Sequence, residues 1–148
     1  MASERRSVAV FVFRAREPRF LLLHRVPERG GFWQPVTGRV EETDGRGTEL
    51  EGLAACAARE VREETGIEDV LSVVDLALES TFTGYDGTLF RERAFAAEVP
   101  ADAVAVRSHE HDDLRWVEAD EALALLHWEE NREALRRLLG LLAARPEV

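Results

Sequence analysis

The stretch REVREETGI, residues 59–67, places three glutamates, Glu60, Glu63 and Glu64, within five positions. In an α-helix, residues three and four positions apart lie on one face, so these carboxylates would be neighbours and would repel one another. Such a face is either a solvated acidic surface or a site for a hard divalent cation, because Mg²⁺ prefers oxygen ligands. The flanking residues distinguish between these two interpretations.

Those flanking residues predict a helix from Glu49 to Thr65. Thr48 and Glu51 have the spacing of a capping box, in which each side chain satisfies a backbone amide at the helix start. Gly66 stands where a left-handed residue commonly ends a helix. Because the glutamates lie off the apolar stripe of this helix, we expect them to point away from the core beneath it. The stripe consists of Leu50, Leu53, Ala54, Ala57 and Val61.

The composition is that of a soluble globular protein, and it limits the classes of partner that we expect the protein to bind. A length of 148 residues predicts a single domain over residues 1–148. No apolar run is long enough for a transmembrane helix, so we expect no membrane partner. A net charge of −10 argues against a nucleic-acid partner, because that contact requires basic residues at the phosphates. A small anionic ligand remains compatible with the charge if metal ions bridge it to carboxylates.

Cysteine usage predicts a cytoplasmic protein. The only cysteine, Cys56, cannot form an internal disulfide, and the N-terminal residues lack a secretory signal. Small apolar residues surround Cys56 on both sides, which predicts a buried structural thiol.

Strand-like and helical segments alternate along the chain. The tail, residues 119–144, has helical periodicity with a break near residues 127–130. Elements interleaved in this way predict an α/β fold, a mixed sheet with helices on both faces. Strands are predicted at residues 7–13, 20–26, 33–40, 70–82, 89–100 and 114–118.

The residues around the glutamates resemble the signature of the Nudix hydrolase family. The matching order is Gly45-x5-Glu51-x7-Arg59-Glu60-Val61-x-Glu63-Glu64-x-Gly66-Ile67, which spans 23 residues. The resemblance implies a Nudix-type α/β/α sandwich with a mixed β-sheet. It also implies a hydrolase that uses Mg²⁺, with Mn²⁺ as an alternative, to cut a diphosphate linkage in a nucleoside diphosphate joined to another group.

The same resemblance assigns roles to individual residues. Glu60, Glu63 and Glu64 would be metal ligands, helped by the main-chain carbonyl of Thr37 or Gly38. Glu63 is also a catalytic candidate. Arg59 is a catalytic candidate as well, because it would orient a glutamate of the cluster, such as Glu51.

The opening glycine of the signature has two candidates in this chain. Gly45 has the required spacing, but Gly38, in the run TGRVEE, has the sequence context that the family gives to this glycine. From Gly38 to Glu51 there are 13 positions where the signature has six, which implies about seven inserted residues within ETDGRGTELE, residues 42–51. We take Glu51 as the first acidic residue of the signature.

Two further stretches, residues 31–42 and 114–135, resemble the dihydroneopterin triphosphate diphosphatase branch, whose members are also described as dATP pyrophosphohydrolases. The second stretch carries Trp128 and Asn131 before the last helix. The resemblance implies that a nucleoside or dihydroneopterin triphosphate is cleaved to the monophosphate and pyrophosphate.

Candidate substrate contacts come from the same regions. Trp33, next to Gln34, is either a core aromatic or a wall of the ring pocket. Arg25, Arg91 and Arg93 are either phosphate contacts or members of surface ion pairs.

A general base is also needed. In the family, an acidic residue on a loop before a late strand often serves as base or metal ligand, and Glu110, in SHEHDD, has the expected offset before Trp116. The competing residues are His109, His111, Asp112 and Asp113.

Two alternatives to triphosphate cleavage remain. The first is a Nudix hydrolase of dinucleoside polyphosphates, nucleotide sugars or oxidised nucleotides. The second is a non-catalytic Nudix module that binds a nucleotide. A homodimer is plausible for this superfamily.

Overall fold

The computed structural model describes residues 4–45, 47–84 and 86–145. A short 3₁₀ turn, Glu42–Asp44, precedes the first helix. The strands and helices, in chain order, are β1 (Glu4–Arg14), β2 (Arg19–Arg25), β3 (Trp33–Gln34), β4 (Val36–Arg39), α1 (Glu49–Thr65), β5 (Ser72–Thr83), β6 (Leu89–Glu98), β7 (His111–Val117), α2 (Ala119–Leu125) and α3 (Glu129–Ala143).

The strands of the described residues form one mixed sheet in the order β3-β2-β1-β6-β5, with β4 paired to β1 and β7 paired to β2. Strands β1 and β6 are parallel, and the other pairs are antiparallel. Side chains alternate between the two faces of a strand. Val10 of β1 therefore packs with α1, whereas Phe11 packs with α2 and α3. This is the predicted α/β/α sandwich.

Helix α1 has the predicted bounds, because its end signals are local. The Thr48 hydroxyl accepts the Glu51 N–H at 3.1 Å, and the Glu51 carboxylate accepts the Thr48 N–H at 3.3 Å. Gly66 ends the helix with φ +73°. The prediction that Leu50 faces the core is wrong, since its side chain is 44% exposed. The first turn begins before the helix reaches the core, whose first α1 member is Leu53.

One other segment differs in detail from the expectations. The strand predicted at residues 33–40 is two strands interrupted at Pro35, which has no N–H for the ladder. The break in the C-terminal helical region is confirmed, between Leu125 and Glu129. Among the described residues, no helix has the length and apolar character needed to cross a membrane.

Candidate active site

Arg59, on α1, is the centre of a cluster of charged side chains. Its guanidinium donates to both carboxylate oxygens of Asp44, at 3.0 Å and 2.8 Å. It also donates to Glu60 at 2.9 Å, to Glu63 at 3.1 Å and to the main-chain carbonyl of Arg39 at 3.0 Å. One arginine therefore connects β4, the turn before α1 and two of the three glutamates.

The expected contact between Arg59 and Glu51 is wrong. The Glu51 carboxylate is used in the capping box of α1, and the buried Asp44 is the partner of Arg59. Hydrogen bonds from Arg59 outweigh burial and lower the pKa of Asp44, and Asp44 in turn raises the pKa of Arg59. Asp44 lies six positions after Gly38, the spacing that the family signature gives to its glycine and first acidic residue. That spacing was the signal that could have identified Asp44.

Glu60 is buried, only 7% exposed, which corrects the expectation that all three glutamates point away from the core. It occupies the space left by the missing side chain of Gly38, where a β-carbon would lie 2.0 Å from the Glu60 Cδ atom. Burial raises the pKa of Glu60 to about 7, and the charges of Glu63 and Glu64 act in the same direction against the opposing effect of Arg59. Glu63 itself is exposed.

Glu64 is held by the loop that precedes β7. The Ser108 hydroxyl donates to its carboxylate at 3.1 Å, and His111 Nδ1 lies 3.3 Å from the same oxygen. The other ring nitrogen of His111 lies 3.4 Å from the amide nitrogen of Gln34. Burial opposes ionisation of Glu64, but His111 and Ser108 outweigh it and keep the pKa below its ordinary value. Ser108 was not among the residues predicted from the sequence.

The loop also places the candidate bases. Glu110 is partly exposed, and its carboxylate lies 3.4 Å from Arg29. Its side chain is among the groups that lower the pKa of Glu64. Asp112 is hydrogen-bonded to Nδ1 of His24 at 2.7 Å, so it is engaged elsewhere. Glu110 and His111 are therefore the two candidate bases that act on Glu64.

The donor chemistry of the cluster fits a hard divalent cation. Glu60, Glu63 and Glu64 present carboxylates from one stretch of α1, and Gly38, next to Thr37 on β4, lies directly against Glu60. Within residues 4–45, 47–84 and 86–145, no three acidic, histidine or cysteine side chains converge on one point. The carboxylates are instead turned toward Arg59, Ser108 and His111.

The aromatic substrate candidate lies between the sheet and α2. The Trp33 ring makes an edge contact with His24, and Arg115 lies over it at 4.9 Å. Trp33 also packs with the core cluster that contains Leu126, as expected for a core aromatic, and it lines a groove with His24 and Arg115. Its role as a wall of the ring pocket stays a prediction. Its neighbour Gln34 is buried and lies against His111.

The three candidate arginines lie in two places. Arg25 stands opposite His111 in the β2–β7 register, near the Glu64 end of the cluster. Arg93 pairs with Asp75 and Glu79, both on β5. Arg91 pairs with Glu4 at 2.7 Å. Arg91 and Arg93 line a groove at the first turn of α1, so the structure does not bring them to the glutamates.

The sequence profile of the NUDIX domain matches residues 3–138. The chain belongs to the Nudix family. A NUDIX-family structure from Listeria monocytogenes is 28% identical, with a TM-score of 0.75 and 93% of both chains covered. The E. coli dihydroneopterin triphosphate pyrophosphohydrolase is 27% identical, with a TM-score of 0.73, and the match covers 92% of this chain and 95% of that one.

A curated relative with a different name matches the same Nudix region. An octanoyltransferase from Myxococcus xanthus is 40% identical over 134 residues, which cover 88% of this chain. The chain spans about a third of that protein, 35% of its length. Most of that relative therefore has no counterpart in this Nudix chain.

Proposed function

We propose that this Nudix protein is a divalent-metal-dependent hydrolase that converts a nucleoside or dihydroneopterin triphosphate to the monophosphate and pyrophosphate. The carboxylate cluster of Glu60, Glu63 and Glu64 is the observation that carries this proposal. Arg59 contacts two of these carboxylates and Ser108 donates to the third. Phosphoryl-type transfer requires mainly that the protein position the reacting groups and stabilise the charge on the phosphates. A carboxylate cluster that holds a metal ion supplies both.

The ligands of the ion would be the three glutamates and the main-chain carbonyl of Thr37 or Gly38. When bound, a divalent cation neutralises phosphate oxygens and lowers the pKa of water. Arg59 fixes Glu60 and Glu63, and the packing of α1 fixes their backbone. Glu110 accepts the proton of the attacking water in this proposal, with His111 as the competing base.

The choice of a triphosphate rests on the similarity to the E. coli dihydroneopterin triphosphate enzyme and on the two stretches, residues 31–42 and 114–135, that resemble that branch. The octanoyltransferase name belongs to a protein of which this chain matches about a third, 35% of its length, so it does not enter the proposal.

A substrate panel tests the proposal. The purified protein is incubated with Mg²⁺ and, separately, with dihydroneopterin triphosphate, the common nucleoside triphosphates, ADP-ribose and diadenosine polyphosphates, and the products are identified by mass. Pyrophosphate release from triphosphates supports the proposal. Turnover confined to a dinucleotide or nucleotide sugar supports metal-dependent hydrolysis but contradicts a triphosphate as the substrate. Binding without turnover of any compound overturns the enzymatic function.

Other expectations rest on the sequence alone. The single domain, the cytoplasmic location, the absence of a nucleic-acid partner and the homodimer stay predictions. Mn²⁺ as a replacement for Mg²⁺ also stays a prediction, which the same assay tests by exchanging the ion.

A further inference from the structure

The connection between β2 and β3 contains a tight turn that begins at Val26. The Val26 carbonyl accepts the N–H groups of Arg29 at 2.8 Å and of Gly31 at 3.3 Å. Gly30 and Gly31 have φ angles of +116° and +64°, in the region that favours glycine. The backbone of Arg29 therefore has a defined position, whereas its side chain is 48% exposed.

This turn is attached to the loop before β7 through Glu110. The Glu110 carbonyl accepts the Val26 N–H at 3.2 Å, and the Glu110 carboxylate lies 3.4 Å from the Arg29 guanidinium. The Glu110 N–H also donates to the Ser108 hydroxyl at 3.3 Å, and that hydroxyl donates to Glu64 at 3.1 Å. A short path of contacts thus leads from Arg29 to the carboxylate cluster.

Arg29 is held much less firmly than Arg59. The Arg59 guanidinium donates to Asp44, Glu60 and Glu63, so its donors are used in positioning these carboxylates. Among the described residues, Arg29 has a single ion pair, and the carboxylate of its partner Glu110 is itself partly exposed. An exposed one-point ion pair contributes little to stability, so Arg29 can exchange Glu110 for another anion at little cost.

A second guanidinium lies at the start of the same connection. Arg25 stands opposite His111 in the β2–β7 register, and its Nε atom is buried without a hydrogen-bond partner in the described part of the chain. Buried donors normally have partners, so this N–H is suited to an acceptor on a ligand. The connection thus brings cationic side chains to both Glu110 and His111.

A triphosphate that approaches this site meets several carboxylates, Glu60, Glu63, Glu64 and Glu110, which repel phosphate oxygens. A bound divalent ion would offset part of this charge, and guanidinium groups offset more of it. A guanidinium can donate to two oxygens of one phosphate, as it can to a carboxylate. A phosphate group can therefore replace Glu110 as the partner of Arg29.

We propose that Arg29 is a phosphate contact that exchanges partners when a triphosphate binds, an inference that rests on the proposed hydrolysis. Arg29 pairs with Glu110 in the free protein and moves to the β- and γ-phosphates of the substrate, which frees the Glu110 carboxylate to act as the base. The attacking water gives its proton to Glu110 while its oxygen bonds to the α-phosphorus. The bond from the α-phosphorus to the α–β bridging oxygen breaks, and pyrophosphate leaves with the electron pair, its charge stabilised by Arg29.

The first arm of the test measures kinetics with dihydroneopterin triphosphate and Mg²⁺. Arg29→Gln should lower kcat/KM by roughly 10- to 100-fold, the effect of losing a hydrogen bond to a charged group. Arg29→Lys should lie between this variant and wild type, because an ammonium group supplies the charge but not the two-point contact. Arg19, at the opposite end of β2, pairs with Glu118 at 3.3 Å and is also partly exposed. Arg19→Gln is therefore the matched control and should match wild type.

The second arm requires no turnover and measures the binding of pyrophosphate by calorimetry with Mg²⁺ present. Arg29→Gln should weaken this binding by a similar factor, because the guanidinium contacts the phosphate itself. The same loss should appear when Arg29→Gln is combined with Glu110→Gln and compared with Glu110→Gln alone. If Arg29 served only to position Glu110, Arg29→Gln would have no effect on pyrophosphate binding in that second comparison.

Unchanged kcat/KM and unchanged pyrophosphate binding in Arg29→Gln would overturn the proposal. An effect of Arg29→Gln that requires Glu110 would also overturn it, as would equal losses in Arg29→Lys and Arg29→Gln with unchanged pyrophosphate binding. The failure of the proposed function has a different signature. Wild type that binds pyrophosphate through Arg29 but hydrolyses no triphosphate overturns the hydrolysis and leaves the phosphate contact standing.

Discussion

Asp44 and Arg59 are fifteen positions apart in the sequence and form a two-point ion pair, with N–O distances of 3.0 Å and 2.8 Å. The same guanidinium contacts Glu60 and Glu63. Asp44 therefore acts on the candidate site through Arg59. It is a positioning residue, and its removal should affect the geometry of the carboxylates more than their chemical nature.

Asp44→Asn should lower kcat by about 10-fold or more, since a small displacement of catalytic groups is costly. It should also lower the free energy of unfolding by roughly 1–3 kcal/mol, because a buried charge-assisted contact is lost.

Glu51→Gln is the matched control. Glutamine can serve in the capping box, so both activity and stability should be retained. The opposite pattern, with Glu51→Gln inactive and Asp44→Asn active, would restore Glu51 as the signature residue. Kinetics and denaturant unfolding of both variants provide the measurements.

Gly38→Ala should displace the Glu60 side chain, because the new β-carbon would lie 2.0 Å from the Glu60 Cδ atom. We expect a loss of turnover of at least about 10-fold. Gly140→Ala is a control in which the added methyl group meets open space within α3. That change should raise stability by roughly 0.5–1 kcal/mol without affecting turnover. Full activity of Gly38→Ala would show that the position of Glu60 is not critical.

Glu64→Gln should remove most of the activity and leave the fold intact, because the substitution keeps the shape of the side chain but removes a charged oxygen donor. A decrease in kcat/KM of roughly 100-fold is expected. Chelation of divalent ions by EDTA should abolish the activity of wild type, and added Mg²⁺ should restore it. Near-full turnover of Glu64→Gln with Mg²⁺ would contradict the assignment of this glutamate to the metal.

Glu110→Gln should lower the rate by about 100-fold if Glu110 is the general base, since general-base catalysis contributes about that much or more. The acidic limb of the pH–rate profile should disappear with it. His111→Asn is the comparison, because His111 contacts Glu64 directly. An unchanged pH–rate profile in Glu110→Gln, with a changed profile in His111→Asn, would transfer the role to the histidine.

Glu92→Gln should make stability less sensitive to pH. The pKa of Glu92 is raised from 4.5 to about 7, so the folded protein holds this proton more tightly than the unfolded chain. The associated stabilisation is present at low pH and is lost as the pH rises through about 7. Glu92→Gln should match wild type near about pH 5 and exceed it by roughly 1–3 kcal/mol near pH 8. Thermal unfolding of both proteins at the two pH values is the measurement. Glu98→Gln is the control, and its stability relative to wild type should not rise with pH.

Local signals in the sequence predicted the elements well. Helix α1 has both predicted ends because Thr48, Glu51 and Gly66 act within a few residues of one another. The break before α3 was also predicted, because the interruption of periodicity lies within the chain segment itself.

Contacts between distant segments could not be predicted in the same way. Burial of Glu60 depends on Gly38, which lies on another element, and the ion pairs of Arg93 depend on carboxylates from β5. Leu50 fits the helical period but lies beyond the edge of the core. Periodicity defines the face of a helix, but it does not define where the opposing layer ends.

The segment between Asp44 and Thr48 has a secure anchor on each side, the pair with Arg59 and the cap of α1. Changes in its length should therefore leave the site in place, and even a doubled loop costs only about 0.6 kcal/mol in closure entropy. A search pattern with rigid spacing accepts this chain through Gly45 and Glu51, whereas the carboxylate that pairs with Arg59 is Asp44. The same pattern would reject a close homologue with one loop residue deleted, although its chemistry would be unchanged. The carboxylate that faces Arg59 therefore identifies the first acidic position of the motif by contact, which the number of intervening residues does not do.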